Sequence, residues 1–269
     1  MRTRLVPPLV LLAAGLLLVG AGACERTPAT GTDRREVRVA AAADLKFALD
    51  EVAAEFTARN ADIQVTVTYG SSGTLYAQLT QEAPFDLFLS ADIDYPRKLI
   101  EQGRAAKESE FLYAVGHLVV WVPNASGIDL DRLGLKAVTD PSVRKVALAN
   151  PKTAPYGRAA EAALKSQGVY DAVKDKLVFG ENVAQTAQFA ESGAADVGLI
   201  ALSLAMAPAM KGRGRYWLVP LDAYPRLEQG GVTLTGARDA EAAQTFRAFL
   251  MGPDGRAVLK RYGFTGAGE

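Results

Sequence analysis

The sequence Val37-Arg38-Val39-Ala40-Ala41-Ala42-Ala43-Asp44-Leu45 predicts a short apolar strand that leads directly into a helix. The helix is indicated by apolar residues at helical spacing, namely Leu45, Leu49, Val52, Ala53 and Phe56. Residues 63–69 then alternate apolar and polar side chains, which is typical of a strand with one buried face. A strand, a helix and a second strand in this order predict two parallel strands joined by a helical crossover.

The same alternation continues along the chain. Further strands are predicted at residues 86–90, 117–122, 145–149, 177–179, 196–200 and 231–234. Helices are predicted at residues 74–81, 158–166, 184–192, 239–251 and 255–262. This order predicts an α/β fold in which helices cover a largely parallel sheet.

A weak internal similarity links the two halves of the chain. Ala77-Gln78-Leu79 with Asp86-Leu87 resembles Ala187-Gln188-Phe189 with Asp196-Val197. On this alignment Ser72 and Gly73 lie opposite Asn182 and Val183. Two similar lobes that face each other would produce such a pattern, and chance similarity is the alternative.

The counts of charged and metal-binding residues exclude several classes of protein. The 269 residues include 30 Lys and Arg, 30 Asp and Glu, one His and one Cys. A balanced charge without a long basic run argues against nucleic-acid binding through phosphate contacts. One Cys permits neither an intrachain disulfide nor a cysteine-rich zinc site, and one His excludes most His-based metal sites. The length suits one large domain or two smaller lobes.

Residues 1–23 have the composition of a secretory signal peptide. A basic start, Met1-Arg2-Thr3-Arg4, precedes an apolar run over residues 5–18 and a series of small residues. The following Cys24 resembles the lipidated cysteine of a bacterial lipobox, although Ala21 stands where Leu is usual; ordinary cleavage after Ala23 is the alternative. Residues 24–35 are polar and contain Pro and Gly, which predicts a flexible tether. We therefore expect a soluble module outside the cytoplasm, in the periplasm or held to the membrane only by the lipid anchor.

Four predicted strand ends lead into helix starts, at residues 42–45, 70–73, 154–157 and 181–184. In open α/β sheets, ligands bind at the carboxyl ends of the strands. A helix start carries unpaired N–H groups and a partial positive charge, so several that converge form an anion site without Lys or Arg. Taken singly, each segment is equally compatible with an ordinary cap or turn.

The motifs AAADL (41–45), YGSSGTL (69–75), DLFLSAD (86–92), PYGRAA (155–160), ENVAQ (181–185) and KRYGF (260–264) resemble the molybdate-binding proteins of bacterial ABC transporters. These belong to the type II periplasmic binding proteins, and the resemblance covers residues 37–264. It implies two lobes, each a mixed, largely parallel sheet flanked by helices, that close on a tetrahedral oxyanion. Lobe I would comprise residues 36–117 and 231–269, and lobe II residues 118–230. The strands near 118–122 and 231–234 would form the hinge.

The resemblance also implies the partners and the ligand residues. The ligand would be molybdate or tungstate, delivered by a monomeric protein to an ABC permease and its ATPase, without a cofactor, nucleic acid or any chemistry on the ligand. The principal oxyanion-binding residues would be Asp44, Ser72, Tyr156 and Val183. Secondary candidates are Ala43, Ser71, Asn182 and Ala201, the last of which stands where some family members have a tyrosine.

Asp44 departs from the family pattern, which has Ser or Asn at this position. A carboxylate about 4 Å from a unit negative charge costs about 4 kcal/mol at an effective dielectric constant of about 20. One interpretation makes Asp44 a helix N-cap that accepts N–H bonds from Lys46 or Phe47. The other makes it the acceptor of a hydrogen bond from a protonated oxyanion.

Three other functions stay open at this point. Asp44 and Ala201 are compatible with a binder of a different anion, such as sulfate, a phosphonate or a small carboxylate. A secreted hydrolase would use Ser71 or Ser72 as its nucleophile and would need His117, the single imidazole, as its base. A surface sensor would use the same binding fold without transport.

Overall fold

The computed structural model of the chain describes residues 34–266 and residue 268. The predicted signal peptide, Cys24 and the tether up to residue 33 lie outside the described residues. Arg35, which the sequence analysis assigned to the tether, is instead the first residue of a strand. Its guanidinium pairs with Asp239 at 2.5 Å, so Arg35 is part of the fold.

The described chain alternates strands and helices. The strands are β1 Arg35–Ala42, β2 Ile63–Gly70, β3 Leu87–Ser90, β4 Phe111–Gly116, β5 Leu118–Pro123, β6 Val146–Ala149, β7 Leu177–Gly180, β8 Val197–Ala201, β9 Gly214–Leu218 and β10 Leu227–Thr233. The helices are α1 Lys46–Arg59, α2 Ser72–Thr80, α3 Asp94–Glu101, α4 Leu130–Leu133, α5 Pro155–Ser166, α6 Tyr170–Val173, α7 Val183–Glu191, α8 Leu202–Ala205, α9 Ala240–Met251 and α10 Pro253–Arg261. In the described part of the chain, no helix combines the length and the hydrophobicity needed to cross a membrane.

The strands form two sheets of five, with the orders β2-β1-β3-β10-β4 and β7-β6-β8-β5-β9. Each sheet is mixed. In the first, β1 is parallel to β2 and β3, whereas β10 is antiparallel to β3 and β4. In the second, β6 is parallel to β7 and β8, whereas β5 is antiparallel to β8 and β9. The two sheets therefore have the same layout, in which β2 corresponds to β7 and β1 to β6.

Burial explains the sequence pattern of the strands. β1 lies inside its sheet, and its last residues are buried on both faces, which accounts for the unbroken alanine run. β2 is an edge strand, and its alternation of apolar and polar residues matches one buried and one exposed face. Separate apolar cores lie around the first sheet and around the second.

The chain passes between the sheets twice. β4 ends at Gly116 and β5 begins at Leu118, so His117 lies between two strands rather than at the start of one. The sequence analysis did not predict β4. On the return, β9 of the second sheet is followed by β10 of the first, which begins at Leu227 and ends at Thr233, not at residues 231–234 as predicted. The lobe boundaries and the hinge remain proposals.

Candidate functional site

The starts of α2, α5 and α7 and the turn after β1 meet around one small cavity of about 10 Å³. Of the predicted residues, those that line it are Ala43, Asp44, Ser71, Ser72, Tyr156, Asn182 and Val183. Ala201 does not line the cavity; it is a buried residue at the end of β8. Pockets for drug-sized ligands start at about 300 Å³. The cavity is far smaller than this, so it excludes drug-sized ligands.

The helix starts present backbone N–H groups to the cavity. Asn182 caps α7 by accepting hydrogen bonds from the amides of Ala184 and Gln185 at 3.0 and 3.1 Å. This cap leaves the N–H of Val183, in the first position of the helix, without an intrahelical acceptor. In α5, Pro155 has no N–H, so Tyr156 is the first residue of the helix that can donate one.

The two serines before α2 have different roles. Ser71 is the N-cap: its Oγ accepts from the amide of Thr74 and donates to Thr74 Oγ1 at 2.8 Å. Ser72 is completely buried, and its Oγ accepts from the amide of Ala91 at 3.0 Å. Because that bond uses only a lone pair, the Ser72 hydroxyl keeps its proton for a ligand in the cavity.

A cluster of three buried polar side chains lies at one end of the site. Gln229 Nε2 donates to Asp44 Oδ2 at 2.5 Å and to the hydroxyl of Tyr156 at 3.2 Å. Gln229 comes from β10, at a position before the predicted strand, so the sequence analysis missed it. Its neighbours in the strand include Glu228, Gly230 and Gly231, so the local sequence held no signal that singles out Gln229.

Asp44 is not a helix N-cap. The capping position of α1 is Leu45, and no side chain caps this helix or the short turn Ala43–Leu45. The carboxylate is 1% exposed, and its Oδ1 has no well-aligned hydrogen-bond partner in the described structure. Burial raises the pKa of Asp44 to about 6, although Gln229, the Tyr156 hydroxyl and the nearby amides of Asp44 and Leu45 act in the opposite direction.

Burial, followed by the charge of Asp44, raises the pKa of Tyr156 well above its ordinary value. The phenol therefore remains protonated at physiological pH and can donate. Among the described residues that line the cavity, none is Lys, Arg or His. The positive potential comes from the helix starts, and Asp44 contributes a formal charge of the opposite sign.

Two contacts cross the cleft beside the cavity. The amide of Gly73, in α2, donates to the carbonyl of Thr153, before α5, at 2.9 Å. Arg158 of α5 pairs with Asp92, after β3, and donates to the Tyr95 hydroxyl at 3.1 Å. The structure therefore has the two sheets' helix starts in direct contact around the site.

The arrangement does not assemble a hydrolase. His117 is at the crossing between the sheets, where its Nε2 contacts Thr265 Oγ1 at 3.1 Å. Ser71 donates to Thr74 rather than to an imidazole. The site can bind an anion by donor groups, and it contains no nucleophile–base pair.

Comparison with known families agrees with this geometry. The family of bacterial extracellular solute-binding proteins matches residues 37–265. The chain belongs to this family. Its members are solute-binding proteins and not enzymes.

Two similar relatives of this solute-binding protein are named as molybdate-binding proteins. It is 40% identical over 230 residues to the molybdate-binding protein ModA of Rhodobacter capsulatus, covering 85% of this chain and 88% of the relative. It is 37% identical over 255 residues to that of Azotobacter vinelandii, covering 95% of each. A solved structure, the periplasmic molybdate-binding protein of Azotobacter vinelandii, superimposes with a TM-score of 0.79 at 32% identity, covering 85% of this chain and 98% of the other. The predicted resemblance and fold class are thereby confirmed.

Proposed function

We propose that the protein is the extracytoplasmic solute-binding component of an ABC importer and that it captures molybdate or tungstate. The observation that carries this proposal is the meeting of three helix starts around a small cavity without a basic side chain. Such a site favours a compact oxyanion because each oxygen can accept from a fixed N–H or hydroxyl. The names of the relatives indicate molybdate.

The binding residues in this proposal are Asp44, Ser72, Tyr156 and Val183. Ser72 donates its hydroxyl proton, Val183 its amide, and Tyr156 its amide or hydroxyl. Ala43, Ser71 and Asn182 shape the helix starts; we do not include Ala201, since it lies outside the cavity lining.

Transport follows from closure of the two lobes about the segments between β4 and β5 and between β9 and β10. The closed, loaded monomer would dock on a permease that is driven by an ATPase. A lipid on Cys24 would hold it at the membrane surface, and the tether would let it diffuse locally.

The test is a calorimetric and thermal-shift panel with molybdate, tungstate, sulfate and phosphate. An anion at 100 times its Kd adds about 2.7 kcal/mol to the free energy of unfolding. We expect this shift with molybdate and tungstate. A shift with sulfate or phosphate but with neither of those two would contradict the proposed ligand.

Ser72→Ala provides the test of the site. Hydrogen bonds to charged groups contribute about 1.5–3 kcal/mol, so we expect molybdate affinity to fall at least about tenfold. Ser142→Ala is the matched control because Ser142 is exposed and bonds only to Asp140 in the described structure. Equal molybdate affinities of the two variants would show that Ser72 does not bind the anion.

A further inference from the structure

Asp44 presents an unusual group to an anion site. Its Oδ2 is held by Gln229, which does not line the cavity. Asp44 lines the cavity, and its buried Oδ1 has no well-aligned donor in the described part of the chain, although the Tyr156 hydroxyl and the amides of Asp44 and Leu45 are near enough to lower the pKa of the carboxylate. An ionised carboxylate can only accept hydrogen bonds, and so can a fully ionised oxyanion.

The neighbouring groups do not neutralise this carboxylate. The ionisable side chains that act on Asp44 are the phenols of Tyr156 and Tyr113, and both stay neutral because burial raises their pKa values well above normal. Lys46 directs its ammonium towards Asp50 and the ring of Tyr69.

Charged residues on the elements around Asp44 are engaged elsewhere. On α1, Glu51 and Glu55 face Arg261, and Arg59 pairs with Asp254. On α7, Glu191 pairs with Arg213, and α8 contains no charged residue. On α5, Arg158 pairs with Asp92, and on β10, Glu228 pairs with Arg226. A proton is therefore the remaining means of making Oδ1 compatible with an anion.

We infer that Asp44 takes up one proton from solvent when the oxyanion binds and donates it from Oδ1 to an anion oxygen. The inference rests on the proposed function, since it concerns the same site. Gln229 has a defined part in it: by donating to Oδ2 it leaves Oδ1 as the atom that carries the proton. The protonated carboxyl then adds a donor to those of Ser72, Tyr156 and Val183.

The direction of the pH effect follows from linkage. Burial already raises the pKa of Asp44 to about 6, and the charge of a bound anion raises it further because like charges disfavour ionisation. At pH values between the pKa of Asp44 in the free protein and its higher pKa in the complex, binding of the anion takes up a proton. The Kd therefore rises about tenfold per pH unit in this range. Below about pH 6 the carboxyl is protonated before binding, and Kd is constant with respect to this group.

Titration calorimetry of the purified protein with molybdate, between about pH 5 and pH 8, tests the inference. Molybdate is used because it remains fully ionised over most of this range. Measurements at about pH 7.5 in buffers of different ionisation enthalpy count the protons, and we expect close to one proton taken up per anion.

Asp44→Asn is the decisive variant because its amide resembles the protonated acid. Its carbonyl can accept from Gln229 while its NH₂ donates to the anion. We expect this variant to bind independently of pH and, at about pH 8, more tightly than the wild type by about tenfold or more. His117→Gln is the control for the single imidazole of the chain, whose pKa is lowered by burial, and it should keep the wild-type pH dependence.

The outcomes separate the two proposals. Molybdate that binds with a constant Kd and no proton uptake overturns the inference but leaves the proposed function intact. So does an Asp44→Asn variant that keeps the wild-type slope. Molybdate that does not bind at any pH overturns both.

Discussion

Gln229 Nε2 lies 2.5 Å from Asp44 Oδ2 and thereby joins β10 to the turn that follows β1. The two residues are far apart in sequence, and both side chains are buried. The bond fixes the orientation of the carboxylate beside the cavity and leaves Oδ1 without a well-aligned partner in the described structure.

Asp44→Asn should change how stability depends on pH in the absence of any anion. The folded pKa of Asp44, about 6, lies above its ordinary value of 3.8, so the folded state holds the proton more strongly than the unfolded state. The contribution of Asp44 to the free energy of unfolding is therefore at its maximum below about pH 4. It falls by about 3 kcal/mol as pH rises to about 6. Urea unfolding at several pH values should show wild type losing this amount relative to the variant; a constant difference would contradict the raised pKa.

Gly116→Ala should damage the site although the substituted residue is not itself a proposed ligand residue. A Cβ at this position would lie 2.2 Å from the Tyr156 hydroxyl oxygen and 2.5 Å from Gln229 Nε2, so both side chains must move. We expect a loss of molybdate affinity of about tenfold or more, since a displaced donor to a charged ligand costs about 1.5–3 kcal/mol. Gly127→Ala is the control, because nothing lies within 4 Å of a Cβ there. Calorimetry should show control affinity close to wild type.

Arg158→Ala should favour opening of the cleft. Arg158 pairs with Asp92 across the cleft, and the two side chains are 40% and 25% exposed. Such partly exposed pairs contribute at most about 1 kcal/mol, so we expect anion release to accelerate by about fivefold or less, with a smaller effect at high salt. Arg97→Ala breaks a pair of similar exposure with Glu110 that does not cross the cleft. Stopped-flow release rates that change equally in both variants would argue against a closing role.

Asp239→Ala should lower stability without affecting the site. Asp239 caps α9 by accepting from the amide of Ala242 at 2.9 Å, and it also pairs with Arg35 at the start of β1. Loss of an N-cap costs about 1 kcal/mol, so the urea midpoint should fall while the Kd for molybdate stays unchanged. Asp239→Asn should recover most of the loss, because Asn is an equally good cap.

The sequence predicted the elements whose periodicity reflects burial. The alternation in residues 63–69 and the apolar run after Val37 correspond to β2 and β1, because an edge strand and an inner strand have different exposure. β4 was missed because its six residues, five of them buried, do not alternate apolar and polar side chains, and only His117 separates it from β5. The chain leaves the first sheet and enters the second at His117. This division depends on which strands pair in the fold, and the local sequence pattern does not contain that information.

The candidate site residues differ in how far local sequence can indicate them. Ser72, Tyr156 and Val183 begin helices, and helix starts can be recognised from caps, Pro and Gly. Gln229 and Gly116 act at the site from strands that are distant in sequence, so only the fold brings them to Asp44 and Tyr156. The internal similarity aligned Ser72 with Asn182, whereas the structure matches it with Val183, because these two residues begin α2 and α7 after corresponding strands.

The Gly73–Thr153 hydrogen bond links one wall of the cavity to the segment before α5. Ser72 offers its hydroxyl to the cavity, and the very next amide donates to the opposite lobe at 2.9 Å. Both groups belong to one helical turn, so they cannot be displaced independently. Under the proposed function, an ion that is too large would tilt α2 and weaken this contact, so the size of the ion would decide whether the cleft closes.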